Sequence, residues 1–205
     1  MYIPGYFSEN HPDELQQLIN DYSFGLLVTT IDGRPYASHL PFLAAGNRDN
    51  LVLYGHLARA NPHWRSLENS ESLAIFQGPH AYVSPTWLES KGVPTWNYAV
   101  LHAYARVELL HDTEEKRKIV MKLSDKFERE RASPWVPDFD ENLLHAIVGL
   151  KLSVTRIEGK FKLSQNRDHA DQQGVIHALQ QSHREDDVGI ARLMRARLQA
   201  NSVAK

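Results

Sequence analysis

The chain of 205 residues contains no cysteine. That removes disulfides, thiolate catalysis and every zinc or iron–sulfur site built on cysteine. No stretch approaches the roughly 20 consecutive apolar residues that a membrane span needs. The first residues, Met1-Tyr2-Ile3-Pro4-Gly5-Tyr6-Phe7, carry neither a basic region nor an apolar core. No signal peptide is expected from them, and a cytoplasmic protein is. Charge nearly cancels, at −2, so no field of the whole protein draws nucleic acid, and a DNA contact would need a local patch. Also missing are a Gly-x-Ser-x-Gly elbow, a paired-carboxylate motif, a His-Glu-x-x-His helix and a glycine-rich phosphate loop. The sequence therefore names no catalytic residue and no metal site.

What is present is a string of six or seven short strands with helices between them. Leu15, Leu18, Ile19 and Tyr22 recur at helical spacing, which predicts a helix over 11–22. Phe24–Ile31 is apolar and β-branched. Asp32-Gly33 then signals a hairpin, with Arg34–Ala44 as the returning strand. Further strands are expected at Leu51–His56, Ser72–Gln77, Ala81–Ser84, Tyr98–Leu110 and Gly149–Ile157, the second and third flanking Gly78-Pro79. A short helix is expected at Pro62–Glu68. Asp112 and Glu115 form a capping box before a helix with Ile119, Leu123 and Phe127 on one face. Two helices, about 169–183 and 186–199, close the chain. The reading is a mainly β, α+β protein built on a small antiparallel barrel with peripheral helices.

Four polar clusters could carry function. At Tyr54-Gly55-His56 an apolar run ends; Arg59 follows, and Asn61-Pro62 opens a helix. A capped helix start beside an arginine suits a phosphate, although a plain strand-to-helix turn reads the same way. His39-Leu40-Pro41-Phe42 ends a strand, and proline there implies an edge or bulge where a flat ligand can approach. Two Trp, two Tyr and several prolines between Gly78 and Tyr98, with Thr95 and Asn97 among them, make either walls for a planar ligand or an aromatic dimer interface. Lys160, Lys162 and Ser164 alternate with Phe161 and Leu163, which puts the polar residues on one face. With Arg167 that face either clamps an anion or is a solvated strand end. Eleven histidines keep haem open, while His56 and His63, seven apart, have poor metal spacing. His39, His56 and His102 are the only evident acid–base candidates.

Taken in order, Met1-Tyr2-Ile3-Pro4, His39-Leu40-Pro41-Phe42, Gly55–Pro62, Gly78-Pro79, Ala81–Pro85, Val93–Tyr98 and Lys162–Arg167 resemble the PaiB-type FMN-binding negative transcriptional regulators. The resemblance covers about residues 1–180 and leaves 181–205 as a C-terminal helical extension. It implies an antiparallel FMN-binding split β-barrel, similar to pyridoxamine phosphate oxidase and the flavin reductases. It also implies a homodimer with FMN at the interface, and DNA as a possible partner. By position, Arg59, Ala60 and Asn61 would hold the FMN phosphate. His39, Leu40, Pro41 and Phe42 would lie against the flavin ring, and Tyr54, Gly55 and His56 beside the ribityl chain or ring. Trp96 and Asn97 would come from the other subunit. Lys162, Ser164, Gln165 and Arg167 complete the set.

The oxidase carries basic residues where this chain has Ala60 and Asn61, and Arg where it has His39. Fewer cations therefore meet the phosphate here. A flavin-dependent oxidoreductase and a haem-binding relative remain the alternative functions. No helix-turn-helix is visible, and Arg192, Arg195 and Arg197 are the best local basic patch.

Overall fold

A computed structural model describes residues 1–47, 50–68 and 70–203. The strands are β1 (Ser8–Glu9), β2 (Phe24–Ile31), β3 (Arg34–Pro41), β4 (Leu43–Ala45), β5 (Val52–Ala58), β6 (Glu71–Val83), β7 (Thr95–Leu110) and β8 (Ile147–Lys162). The helices are α1 (Pro12–Asp21), α2 (Thr113–Glu128), α3 (His169–Gln180) and α4 (Glu185–Val203). Among the described residues eight strands form one antiparallel sheet in the order β3-β2-β6-β7-β8-β5-β4, with β1 on β8, and its ends do not pair. This is the expected split-barrel class with helices. The chain divides into two compact units, one of His11–Phe76 and Leu101–Ile157, the other of Met1–Asn10, Gln77–Val100 and Glu158–Lys205.

In the first unit, α1 begins with proline at its first position and buries Leu15, Leu18 and Ile19. Asp32 and Gly33 both take positive φ, 51° and 74°. That is the backbone a two-residue hairpin between right-twisted strands needs. It sets Leu26 opposite His39 and Phe24 opposite Pro41. Leu27, Leu40, Phe42, Leu53, Phe76, Leu101 and Leu150 make the core, each at most 2% exposed.

The returning strand is not continuous to Ala44. The Phe42 N–H makes one more bond in the hairpin register, to the Ser23 carbonyl at 2.8 Å. The chain then restarts as β4 on a new partner, β5. Where β5 passes this break it carries Gly55; a Cβ there would lie 2.9 Å from Leu40 Cδ1 and 3.2 Å from the Pro41 carbonyl. Asp112 caps α2 by accepting the Glu115 N–H at 3.0 Å. Ile119 and Leu123 are buried as expected, but Phe127, in the last turn, is 48% exposed.

In the second unit β1 pairs with the end of β8 (Ser8 with Lys160), and Val175, Ile176 and Leu179 of α3 and Ile190, Ala191 and Met194 of α4 are buried. The expected break at Gly78-Pro79 is absent, because β6 runs through it. On its β2 side the ladder ends at Ile75, so the N–H that Pro79 lacks is not needed there.

Candidate functional site

The turn after β5 is built around Asn61. Its Oδ1 accepts the His63 N–H at 3.0 Å, which caps a five-residue 3-10 helix, Pro62–Ser66. The longer helix expected to Glu68 is not formed. Asn61 Nδ2 donates to Ser38 Oγ at 3.0 Å, and Ser38 Oγ lies 2.8 Å from Nδ1 of the fully buried His63. The Tyr36 hydroxyl donates to Asn61 Oδ1 at 3.4 Å.

Arg59 Nε donates to the His145 carbonyl at 2.8 Å and Nη2 to the Ile147 carbonyl at 3.3 Å. Its own carbonyl accepts from Trp64 Nε1 at 2.9 Å. The arginine is thus fixed at the mouth of β8 by neutral acceptors, with its charge uncompensated by any ion pair among the described residues. Ala60 beside it is exposed.

The neighbouring predicted residues divide by strand alternation. Leu40 and Phe42, 2% and 0% exposed, point into the core, so only their backbone can meet a ligand. His39 faces outward and stacks on Phe24, ring centroids 6.2 Å apart and 22° from parallel. Phe24 is 66% exposed, so the pair offers a flat apolar face. On β5, Tyr54 and His56 share the face opposite Gly55. Burial lowers the His56 pKa, which favours the neutral ring. Its Nδ1 and the Nε2 of His63 are buried and have no hydrogen-bond partner among the described residues.

The six remaining predicted residues lie in the second unit. Trp96 is half exposed, with the rings of His80 and Tyr82 at 6.1 and 6.0 Å. Asn97 is 0% exposed and donates to Ser164 Oγ at 2.9 Å and toward Met194 Sδ at 3.4 Å. Ser164 itself is buried and takes a positive φ of 62°. Lys162 Nζ donates to Thr95 Oγ1 at 2.7 Å and to the Trp96 carbonyl at 2.6 Å. Burial, then the charges of Lys160 and Arg167, lowers its pKa. Gln165 folds back on the Phe161 carbonyl and the Leu163 N–H. Arg167 reaches Ser90 Oγ and the Lys91 carbonyl, and lies 3.8 Å from Asp171.

Sequence reasoning missed Phe24, Ser38 and Asp171, and weighed His63 only for its spacing from His56. The first two carried a usable signal, because the hairpin register sets Phe24 beside the His39 region and puts Ser38 on the Leu40 face.

An unpaired arginine, a neutral histidine with an unmet hydrogen-bonding nitrogen and a flat apolar pair are suited to an anionic, planar, polar-edged ligand. A family model described as "Putative FMN-binding domain" matches residues 1–156. The chain belongs to this FMN-binding family. Its cofactor is FMN.

The chain is also 38% identical, over 97% of its length and 98% of the relative's, to the protease synthase and sporulation protein PAI 2 of Bacillus subtilis. An uncharacterized protein of Emericella nidulans is 32% identical over 96% of this chain and 97% of its own. Among solved structures, the flavocytochrome Anf3 of Azotobacter vinelandii has a TM-score of 0.65 at 14% identity, covering 83% of this chain and 77% of its own. A FAD- and heme-binding protein of Mycobacterium smegmatis has 0.64 at 17% identity, covering 80% and 78%. At such identities the two structures share the fold alone. Among the described residues no cluster of three or more His, Asp or Glu could hold a metal ion, and no helix is long and apolar enough to cross a membrane.

Proposed function

We propose that this FMN-binding protein is a cytoplasmic homodimer that acts as a PaiB-type negative transcriptional regulator. The observation that carries the reading is the end-to-end match to PAI 2, whose name ties it to protease synthesis and sporulation. Arg59, Ala60 and Asn61 hold the FMN phosphate in this reading, with charge from the arginine and a turn that Ser38 and His63 keep in shape. His39, Pro41 and the backbone of Leu40 and Phe42 lie against the ring; Tyr54, Gly55 and His56 line the ribityl chain. Trp96 and the backbone of Asn97 of the partner subunit, with Lys162, Gln165, Arg167 and the backbone of Ser164, complete the site. Bound FMN supplies redox chemistry or a redox-sensitive ring; the protein's part is to bind and orient it.

Dimerisation is supported by the outward face of β2 and β6. Leu26 pairs with Ile75 and Val28 with Leu73. All four are only partly buried, and Phe24 beside them is exposed. Such an apolar sheet face needs a partner. For DNA the support is thinner, because Arg197 is committed to an ion pair with the buried Glu9, leaving Arg192 and Arg195 exposed.

FMN titration of the purified protein, followed by flavin absorbance, tests the cofactor assignments. Arg59→Ala should weaken FMN at least tenfold, about 1.4 kcal/mol. Unchanged affinity would remove Arg59 from the phosphate site. Binding to promoter DNA across a range of salt tests the regulator. Reduction of bound FMN by a nicotinamide donor with turnover, and no DNA binding, would replace it with an oxidoreductase.

A further inference from the structure

A pocket of about 300 Å3 opens in the first unit, lined by Leu43, Ala44 and Ala45 of β4, Tyr54 of β5, Leu110, and Glu115, Lys118, Ile119 and Lys122 of α2. Its floor is apolar. Leu43 and Tyr54 pack there against the buried cluster of Leu110, Ile119 and Leu123. One wall is cationic, because Lys118 and Lys122, one helical turn apart, both line it and are exposed at its mouth. Neither lysine has an ion-pair partner among the described residues.

One carboxylate, Glu115, shares the lining with the two ammonium groups and balances at most one of them. Glu108, which carries another carboxylate, is held by Lys151 through a hydrogen bond of 2.8 Å and is not part of the lining. Of the charged side chains that line the pocket, Glu115 is acidic and Lys118 and Lys122 are basic, so the lining keeps a net positive charge. An apolar floor of this size with two unpaired ammonium groups on one side is complementary to a small acid with an apolar body. Of the residues given to FMN, only Tyr54 lines it.

We propose that this pocket is a second ligand site, for a small organic anion with an apolar body, its acid group held by Lys118 and Lys122. The acid is a carboxylate or a phosphate monoester. Isothermal titration of the full chain with octanoate, octyl phosphate, octanol and inorganic phosphate, each with and without saturating FMN, tests it. At least one of the two amphipathic acids should bind saturably with FMN present, and which one binds tighter identifies the acid. Octanol and inorganic phosphate should each bind at least tenfold more weakly than that acid.

The K118Q/K122Q variant, changed only at exposed positions, should weaken the acid at least tenfold and leave FMN affinity unchanged. Ala44→Trp, which fills the pocket from β4, should abolish binding while circular dichroism shows the fold kept. Saturation by neither acid, or equal binding to wild type and K118Q/K122Q, would overturn the proposal. So would displacement of the acid by FMN together with loss of FMN affinity in K118Q/K122Q, which would give the pocket to the flavin. Failure of the Arg59 assignment alone would leave this site standing.

Discussion

The Asp171 carboxylate, buried in α3, accepts the N–H groups of Glu89 and Ser90 at 2.8 and 3.0 Å and the Ser90 hydroxyl at 2.5 Å. These bonds, the Ser90 hydroxyl foremost, hold its pKa below the ordinary 3.8. A depressed carboxylate adds stability that is complete above its unfolded value and is lost as pH falls through its folded value. His56 and His63 act at a higher pH. Burial lowers both below the ordinary 6.5. As pH drops below 6.5 the unfolded chain gains protons that the folded one refuses, so stability falls from there toward their depressed values. Thermal melts from pH 7.5 to 3 should therefore decline in two stages. His56→Phe should flatten the first, and Asp171→Asn the second at the cost of a lower Tm near neutrality. Curves parallel to wild type would show that these groups do not set the acid limit. Asn61→Ala has a different signature. It removes a cap and its bonds to Ser38 and Tyr36, and should cost about 1–3 kcal/mol by urea unfolding at any pH.

Gly174 decides how α3 sits at the level of elements. Replacing a helix-interior glycine by alanine ordinarily gains about 1 kcal/mol. Here a Cβ would stand 2.2 Å from the Trp87 carbonyl, in the 3-10 turn Pro85–Trp87. That oxygen is backbone and cannot swing aside. The clash outweighs the propensity, and Gly174→Ala should destabilise by about 1–3 kcal/mol in urea unfolding. A stabilised variant would mean that α3 and the turn separate easily.

The elements themselves were mostly legible. Asp32-Gly33, the Asp112–Glu115 box and the apolar spacing of Leu15, Leu18 and Ile19 are local signals with local causes, and each produced its element. The misreadings lie where a distant partner decides. Nothing near Leu43 says that the strand will there exchange β2 for β5, and nothing near Pro79 says that the β2 ladder will already have ended.

For the whole molecule, the apolar face of Phe24, Leu26, Val28, Leu73 and Ile75 makes a prediction about assembly. Ile75→Lys puts a charge into the middle of it, and light scattering after size exclusion should change from dimer to monomer, with FMN retention falling alongside. A wild-type monomer, or a dimer untouched by Ile75→Lys, would reject this face as the interface.

The sequence alone determined the absence of thiol chemistry, the alternation of short strands with capped helices, and the order of motifs that places the chain in an FMN-binding family. These rest on composition and on interactions spanning a few residues. Only the tertiary structure decided that Leu40 and Phe42 face the core while His39 faces out beside Phe24. It alone showed that Arg59 is fixed by the carbonyls of residues 145 and 147, and that Lys118 and Lys122 stand over an open apolar floor. Those outcomes depend on contacts between segments far apart in the chain, and no local pattern encodes which carbonyl an arginine will find.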